Sequence, residues 1–123
     1  MLRVLVVDDS KLSRSMAVRA VVSMGHETVE ATNGAEALDL LTRHVPDVVL
    51  TDLLMPGLNG FELMERIRQV RPNVPVIVVS ADVQVSSRER GHELGCVAFL
   101  RKPVNASELA NVLHNLFSTG GVL

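Results

Sequence analysis

Val4-Leu5-Val6-Val7 is followed at once by Asp8-Asp9-Ser10, so an apolar run stops at a pair of acidic residues. The run is continuous and β-branched rather than alternating, which is typical of a parallel strand covered on both faces. Ser10 is a residue type that commonly caps the start of a helix. Gly25 follows Met24, the last apolar position of the stretch after Ser10, and glycine is common just past the end of a helix. The stretch therefore predicts a buried strand that ends in negative charge and leads directly into a helix.

Short apolar runs alternate with amphipathic stretches five times along the chain. The further runs are Glu27–Ala31, Val48–Leu50, Val76–Val79 and Val97–Leu100. The first of these four alternates and is the weakest of the predicted strands. The pattern as a whole predicts an α/β fold, a (βα)5 doubly wound parallel five-stranded sheet with right-handed crossovers.

The predicted helices differ in strength. In the third helix, apolar positions follow the spacing i, i+3, i+4 and i+7 at Gly60, Leu63, Met64 and Ile67. The fourth, around residues 84–94, is the poorest, because it contains a glycine and few apolar residues. Within it, the segment 88–90 (Arg-Glu-Arg) is interpreted as a solvated helix face.

The composition fits one ordinary globular domain of 123 residues, of which 47% are hydrophobic and 21% charged. We expect a structured domain over residues 1–118 and a short tail over residues 119–123. The net charge of −2 leaves no basic stripe for direct nucleic-acid binding. No apolar run approaches the ~18 residues of a membrane span, and the N-terminus does not resemble a signal peptide. We therefore expect a cytoplasmic protein, with its single cysteine, Cys96, as a buried, inert thiol.

Polar side chains gather where the predicted strands end. In open parallel sheets, ligands bind beyond the carboxyl ends of the strands, so these side chains should converge at one edge. The second strand offers little there. The other four contribute Asp8, Asp9, Asp52, Ser80 and Lys102.

This predicted cluster calls for a cation or for a raised carboxyl pKa. Two carboxylates about 4 Å apart repel by roughly 4 kcal/mol at an effective dielectric of ~20. Lys102 offsets part of that repulsion, and ligands that are all oxygen favour a hard ion. Mg²⁺ binds through one or two carboxylates and completes its coordination with water and phosphate oxygens. The sequence thus predicts an acidic magnesium pocket that can receive a phosphoryl group.

Four segments together resemble the receiver domain of bacterial response regulators. They are Val6-Val7-Asp8-Asp9-Ser10, residues 51–60 (Thr-Asp-Leu-Leu-Met-Pro-Gly-Leu-Asn-Gly), Ser80-Ala81, and residues 99–103 (Phe-Leu-Arg-Lys-Pro). The resemblance runs from about Leu2 to Phe117. It implies a flavodoxin-like, CheY-like sheet with strand order 2-1-3-4-5, and a phosphorylation-activated signalling protein of a two-component system rather than an enzyme.

The resemblance also implies roles for individual residues at the pocket. Asp52 would be the phosphoacceptor, and Lys102 would pair with the phosphoryl oxygens. Pro103 would follow a cis peptide bond. The metal ligands would be Asp8, acting mainly through water, Asp9, Asp52 and the backbone carbonyl of Leu54.

Further implied roles concern the response to phosphorylation. Ser80 and Phe99 would act as switch residues, and Leu54 and Asp82 would tune the lifetime of the phosphoryl group. The donor would be a histidine kinase or a histidine phosphotransfer protein. An unknown protein target would bind the face formed by the fourth helix, fifth strand and fifth helix. We expect a monomer.

Two other classes of protein combine some of these features. A haloacid dehalogenase-type Mg²⁺-dependent phosphatase also uses Asp, Ser/Thr, Lys and Mg²⁺ at strand ends, but its nucleophile belongs to an Asp-x-Asp on the first strand. Here the acidic pair comes first and the lone Asp52 follows. A flavin electron carrier would need a Ser/Thr/Gly-rich phosphate loop after Val7 and a Trp or Tyr to stack on the ring. The chain lacks such a loop after Val7 and contains no Trp or Tyr.

Overall fold

Strands and helices alternate along the whole of the computed structural model, which describes residues 1–82 and 84–117. The strands are β1 (Arg3–Val7), β2 (Glu27–Ala31), β3 (Val48–Thr51), β4 (Val76–Ser80) and β5 (Ala98–Arg101). The helices are α1 (Lys11–Ser23), α2 (Gly34–His44), α3 (Gly60–Val70), α4 (Val85–Glu93) and α5 (Ala106–Phe117). The predicted alternation is confirmed. The tail predicted over residues 119–123 lies outside the described residues.

The sheet is parallel throughout and has the order β2-β1-β3-β4-β5. The weakest predicted strand, β2, pairs with β1 over its full length, from Arg3 opposite Glu27 to Val7 opposite Ala31. Because all five strands run the same way, their carboxyl ends share one edge, as predicted. Among the described helices, none is both long and apolar enough to cross a membrane.

Helices cover both faces of the sheet, which explains why β1 is apolar at every buried position. Val4 and Val6 pack into the core beneath α1 and α5, whereas Leu5 and Val7 pack into the core beneath α2 and α3. All four are at most 2% exposed. The predicted stripe of α3 is buried on the second face, since Gly60, Leu63, Met64 and Ile67 all belong to the core or its edge.

Side chains with an oxygen acceptor begin four of the helices. The Ser10 side chain accepts from the amide of Ser13 at the start of α1, and Asn33 does the same for Glu36 at the start of α2. Asn105 accepts from the amide of Glu108 at 3.0 Å in the first turn of α5. Each bond satisfies an amide that the helix itself leaves unpaired. The fourth is a full capping box of Asn59 and Glu62 at the start of α3, which our sequence reading did not find.

The fourth helix is held differently. Its N-cap, Gln84, makes no side-chain capping bond, and the only buried residue of the helix is Gly91. Arginines from the segment predicted as a solvated face lie over aromatic rings instead: Arg88 is 5.5 Å from the ring centre of Phe99, and Arg90 is 4.5 Å from that of Phe61. The segment is exposed as predicted. Its arginines also fasten α4 to the domain through cation–π contacts.

Candidate functional site

Backbone hydrogen bonds set the ends of the strands side by side. The Asp8 amide donates to the Ala31 carbonyl of β2 at 3.1 Å, and the Asp52 amide donates to the Val7 carbonyl of β1 at 3.1 Å. The parallel pairing thus continues one residue past the strands and carries both aspartates to the same edge. On the other side, the Lys102 amide donates to the Ser80 carbonyl at 2.9 Å.

Three carboxylates meet at this edge. One oxygen from each of Asp8, Asp9 and Asp52 lies within 4.8 Å of the other two, a spacing at which they could hold a metal ion. Asp8 and Asp52 are 5% and 7% exposed, whereas Asp9 is exposed. The cluster therefore has a buried side formed by two acids and an open side formed by the third.

Lys102 closes the buried side. Its Nζ lies 2.8 Å from Oδ2 of Asp8 and 2.8 Å from Oδ2 of Asp52. Burial lowers the pKa of Lys102, but hydrogen bonds and attraction from the two carboxylates outweigh it, so the pKa is raised. With three carboxylates and one ammonium, the cluster carries a formal charge of −2. That charge matches a divalent cation, and the all-oxygen donors suit Mg²⁺.

The second oxygen of Asp52 is held by the chain that follows it. Oδ1 accepts from the amide of Leu53 at 2.7 Å and from that of Leu54 at 3.4 Å. Leu54 itself is 64% exposed. Helix α3 begins against this loop, where a Cβ on Gly60 would lie 2.3 Å from the Asp52 carbonyl oxygen and 2.7 Å from Cα of Leu53. Only glycine allows this approach of the helix to the site.

Ser80 ends β4 with its side chain fully buried, and its Oγ accepts from the Asp82 amide at 3.1 Å. The Asp82 carboxylate turns toward α4, where Oδ1 accepts from the Gln84 amide at 2.9 Å and Oδ2 accepts from the Ser87 hydroxyl. These two hydrogen bonds lower the pKa of Asp82, and the bond from Ser87 has the larger effect. A chain of hydrogen bonds thus links Ser80 to the first turns of α4.

Phe99 lies on β5 beneath α4. Its half-buried ring packs against the core on the α2–α3 side and is covered by Arg88. A Cβ on Gly91 would lie 3.3 Å from Cδ2 of Phe99, so the absence of a side chain there lets the helix sit close to the ring. The Lys102–Pro103 peptide bond just beyond β5 is cis.

Two residues that sequence reasoning missed also reach the site. We expected little from the end of the second strand, but Glu30 of β2 pairs with Arg14 of α1, with 3.0 Å between Oε1 and Nε. Arg14 in turn donates from Nη1 to the backbone carbonyl of Asp8 at 2.8 Å. The alternating pattern of β2 was the available signal, because it predicts that some side chains of this strand stay outside the core.

The predicted convergence of Asp8, Asp9, Asp52 and Lys102 is present, and the sheet order is that of the CheY-like flavodoxin fold. The chain belongs to the response regulator receiver domain family, whose model matches residues 4–114. Receiver domains are signalling switches that interact with histidine kinases or phosphotransfer proteins and with downstream targets.

Individual relatives agree with this assignment. The chain is 31% identical over 111 residues to sporulation initiation phosphotransferase F of Bacillus subtilis, covering 90% of both chains. Among solved structures, chemotaxis protein CheY4 of Vibrio cholerae superposes with a TM-score of 0.88 at 28% identity, covering 95% of this chain and 99% of that one. CheY in the CheX–CheY–BeF₃–Mg complex of Borrelia burgdorferi gives 0.88 at 25% identity, covering 94% and 89%. The chain spans only 12–54% of the length of several other curated relatives.

Proposed function

We propose that this chain is a phosphorylation-activated switch of a two-component system and that Asp52 is its phosphoacceptor. The observation that carries the proposal is the position of the Asp52 carboxylate. It is one of the three carboxylates of the acidic cluster, and it also forms an ion pair with the Lys102 ammonium. Family membership favours this function over that of a phosphatase with a similar set of residues.

Asp8, Asp9, Asp52 and the backbone carbonyl of Leu54 would hold Mg²⁺. The formal charge of the cluster and its oxygen donors support this set, and the Borrelia relative was crystallised with BeF₃ and Mg. Bound Mg²⁺ would neutralise negative charge and orient the oxygens of an incoming phosphoryl group.

The donor in this proposal is a phosphohistidine of a kinase or phosphotransfer protein. A carboxylate oxygen of Asp52 attacks phosphorus in line, an O–P bond forms, and the P–N bond breaks with its electron pair passing to the imidazole. Lys102 then moves its hydrogen bond from the carboxylate to a phosphoryl oxygen. The chain supplies position and charge rather than proton chemistry, since both Asp52 oxygens are already oriented by Lys102 and by the Leu53 amide.

Ser80 would report the new charge. Its oxygen accepts from the Asp82 amide, so its own hydroxyl hydrogen can be donated to the phosphoryl group. Movement of Ser80 toward Asp52 would pull on Asp82 and on the hydrogen bonds that its carboxylate accepts from Gln84 and Ser87, and so displace the start of α4. Phe99 would turn inward as that space opens. Because α4 buries only Gly91, it is the element most easily shifted between two positions.

The proposal also covers how the signal is passed on, where the protein acts and how long the phosphoryl group lasts. The signal leaves by protein contact through the face formed by α4, β5 and α5, and the protein acts in the cytoplasm as a monomer. Leu54 and Asp82 tune the lifetime of the phosphoryl group. For Asp82, the structural reason is that both of its carboxylate oxygens already accept bonds from the loop and α4, which limits its use in orienting water.

Intact-mass measurement after treatment with acetyl phosphate and Mg²⁺ tests the proposal. The wild type should gain one phosphoryl group, the gain should vanish with excess EDTA, and Asp52→Asn should gain none. Asp39→Asn, an exposed acidic position on α2, is the matched control and should behave as the wild type. Full labelling of Asp52→Asn would overturn the assignment. Turnover of a generic phosphate ester by the wild type would favour the phosphatase instead.

A further inference from the structure

Arg14 is largely buried beside the acidic cluster although it is not one of its members. Its side chain is 15% exposed, and its guanidinium bridges two elements. Nη1 donates to the backbone carbonyl of Asp8 at 2.8 Å, while Nε lies 3.0 Å from Oε1 of Glu30 on β2. The guanidinium is planar, so the bond to Glu30 fixes the direction in which Nη1 points.

The carbonyl that Arg14 holds belongs to the peptide that joins the two acids of the pair. The other polar groups of Asp8 are also engaged: its amide donates to Ala31, Oδ1 accepts from the Ser10 amide at 2.9 Å, and Oδ2 accepts from Lys102. Asp9 is different, because its carboxylate is exposed and accepts no hydrogen bond among the described residues. With no hydrogen bond to hold its oxygens, the Asp9 carboxylate depends for its position on the backbone that carries it, and the plane of the Asp8–Asp9 peptide is part of that backbone.

The geometry points to Arg14 as a positioning residue that aims the Asp9 carboxylate at the metal position by fixing this peptide plane, with Glu30 orienting Arg14. The inference rests on the proposed function, because it assigns a role toward the same Mg²⁺ site. It adds to that site a contribution from β2, the strand whose end carries none of the candidate side chains. Partners that orient metal ligands in this way typically contribute about 10- to 100-fold to metal affinity.

Electrostatics and positioning predict opposite results for removal of Arg14. The guanidinium is a positive charge next to an anionic site, so its loss should by charge alone make Mg²⁺ bind more tightly. If Arg14 aims Asp9, its loss releases the peptide and Mg²⁺ should bind more weakly. The sign of the change in affinity therefore separates the two effects.

Isothermal titration with MgCl₂ on the intact chain makes the test. We expect Arg14→Met to weaken Mg²⁺ binding by about tenfold or more. Arg19→Met is the matched control, because it removes the same charge from an exposed position of the same helix, and it should leave the affinity within about twofold of wild type by screening of surface charge. Arg14→Lys keeps the charge and a donor, and its affinity should fall between those of wild type and Arg14→Met.

Unchanged or tighter binding by Arg14→Met would overturn the inference, whereas a wild type that binds no Mg²⁺ would overturn the proposed function itself. Thermal unfolding by circular dichroism shows whether each variant is folded. If Arg14→Met does not fold, Glu30→Met takes its place, since it removes the oxygen that orients Arg14 and leaves Arg14 present. Glu30 is exposed, so the loss of its charge alone should change the affinity by no more than about twofold. Mg²⁺ binding about tenfold weaker in Glu30→Met is the expected result, and an affinity within about twofold of wild type would contradict the role given to Glu30 and Arg14.

Discussion

Replacement of Lys102 by methionine tests the electrostatic account of the site. Methionine keeps most of the side-chain volume and removes the ammonium that lies 2.8 Å from both Asp8 and Asp52. Each of these contacts corresponds to roughly 6 kcal/mol of gross attraction at an effective dielectric of about 20. Desolvation offsets a large part of it, and removal of one partner from a buried ion pair costs about 3–5 kcal/mol in net terms.

The expected loss lies near the lower end of that range, because the Lys102 side chain is 17% exposed. In the absence of metal, the free energy of unfolding should therefore fall by about 3 kcal/mol. For a urea slope of about 1.5 kcal/mol per molar, the midpoint should drop by about 2 M. Urea unfolding followed by far-ultraviolet circular dichroism in excess EDTA measures this midpoint.

Mg²⁺ should stabilise the variant more than the wild type. The acidic cluster of the variant has a formal charge of −3, and Mg²⁺ does not compete there with an ammonium group. The control is Arg101→Met, an adjacent exposed cation, which should change stability by less than about 0.5 kcal/mol. If Lys102→Met without metal were as stable as Arg101→Met, or if Mg²⁺ stabilised it no more than wild type, the charge balance derived for the site would be wrong.

Two further substitutions and one thiol alkylation examine separate features. Asp9→Asn should stabilise the metal-free protein by about 1 kcal/mol, because it relieves repulsion between carboxylates at an exposed position. It should also abolish the stabilisation by Mg²⁺. Urea unfolding with and without the metal measures both effects, and destabilisation of the metal-free form would contradict the prediction. Gly60→Ala should destabilise by about 1–3 kcal/mol because its Cβ would meet the Asp52 carbonyl oxygen at 2.3 Å, and a neutral effect on the urea midpoint would refute the close approach. Burial raises the pKa of the Cys96 thiol, so alkylation by iodoacetamide at neutral pH should be far slower in the folded protein than in urea, and equal rates would show an accessible thiol.

Much of the fold follows from signals local in sequence. The run Val4–Val7 is apolar at every position because both of its faces are covered, and Asp8 follows where the strand leaves the core. The same rule applied to Asp52 and Lys102 predicts their convergence, because parallel strands end at one edge regardless of how far apart they lie in the chain. The fold and the acidic cluster are predictable for this reason.

Other features depend on side chains that meet only in three dimensions. Nothing adjacent to Arg14 in sequence indicates that it reaches the Asp8 carbonyl, because Arg14 lies on α1 and its partner Glu30 lies on β2. The arginine–aromatic contacts of α4 are equally non-local: Arg90 meets Phe61 at the start of α3. Polar residues of this kind give no hydrophobic period, so their contacts emerge only once the packing is known.

Chemical trapping of the acyl phosphate tests the central claim most directly. Borohydride reduces an aspartyl phosphate to homoserine, and the position of that residue can be read by peptide sequencing in a mass spectrometer. After treatment with acetyl phosphate and Mg²⁺, we expect homoserine at residue 52 and none when EDTA is present. Homoserine at residue 8 or 9, or no conversion of residue 52 under conditions that fully phosphorylate the chain, would contradict the account.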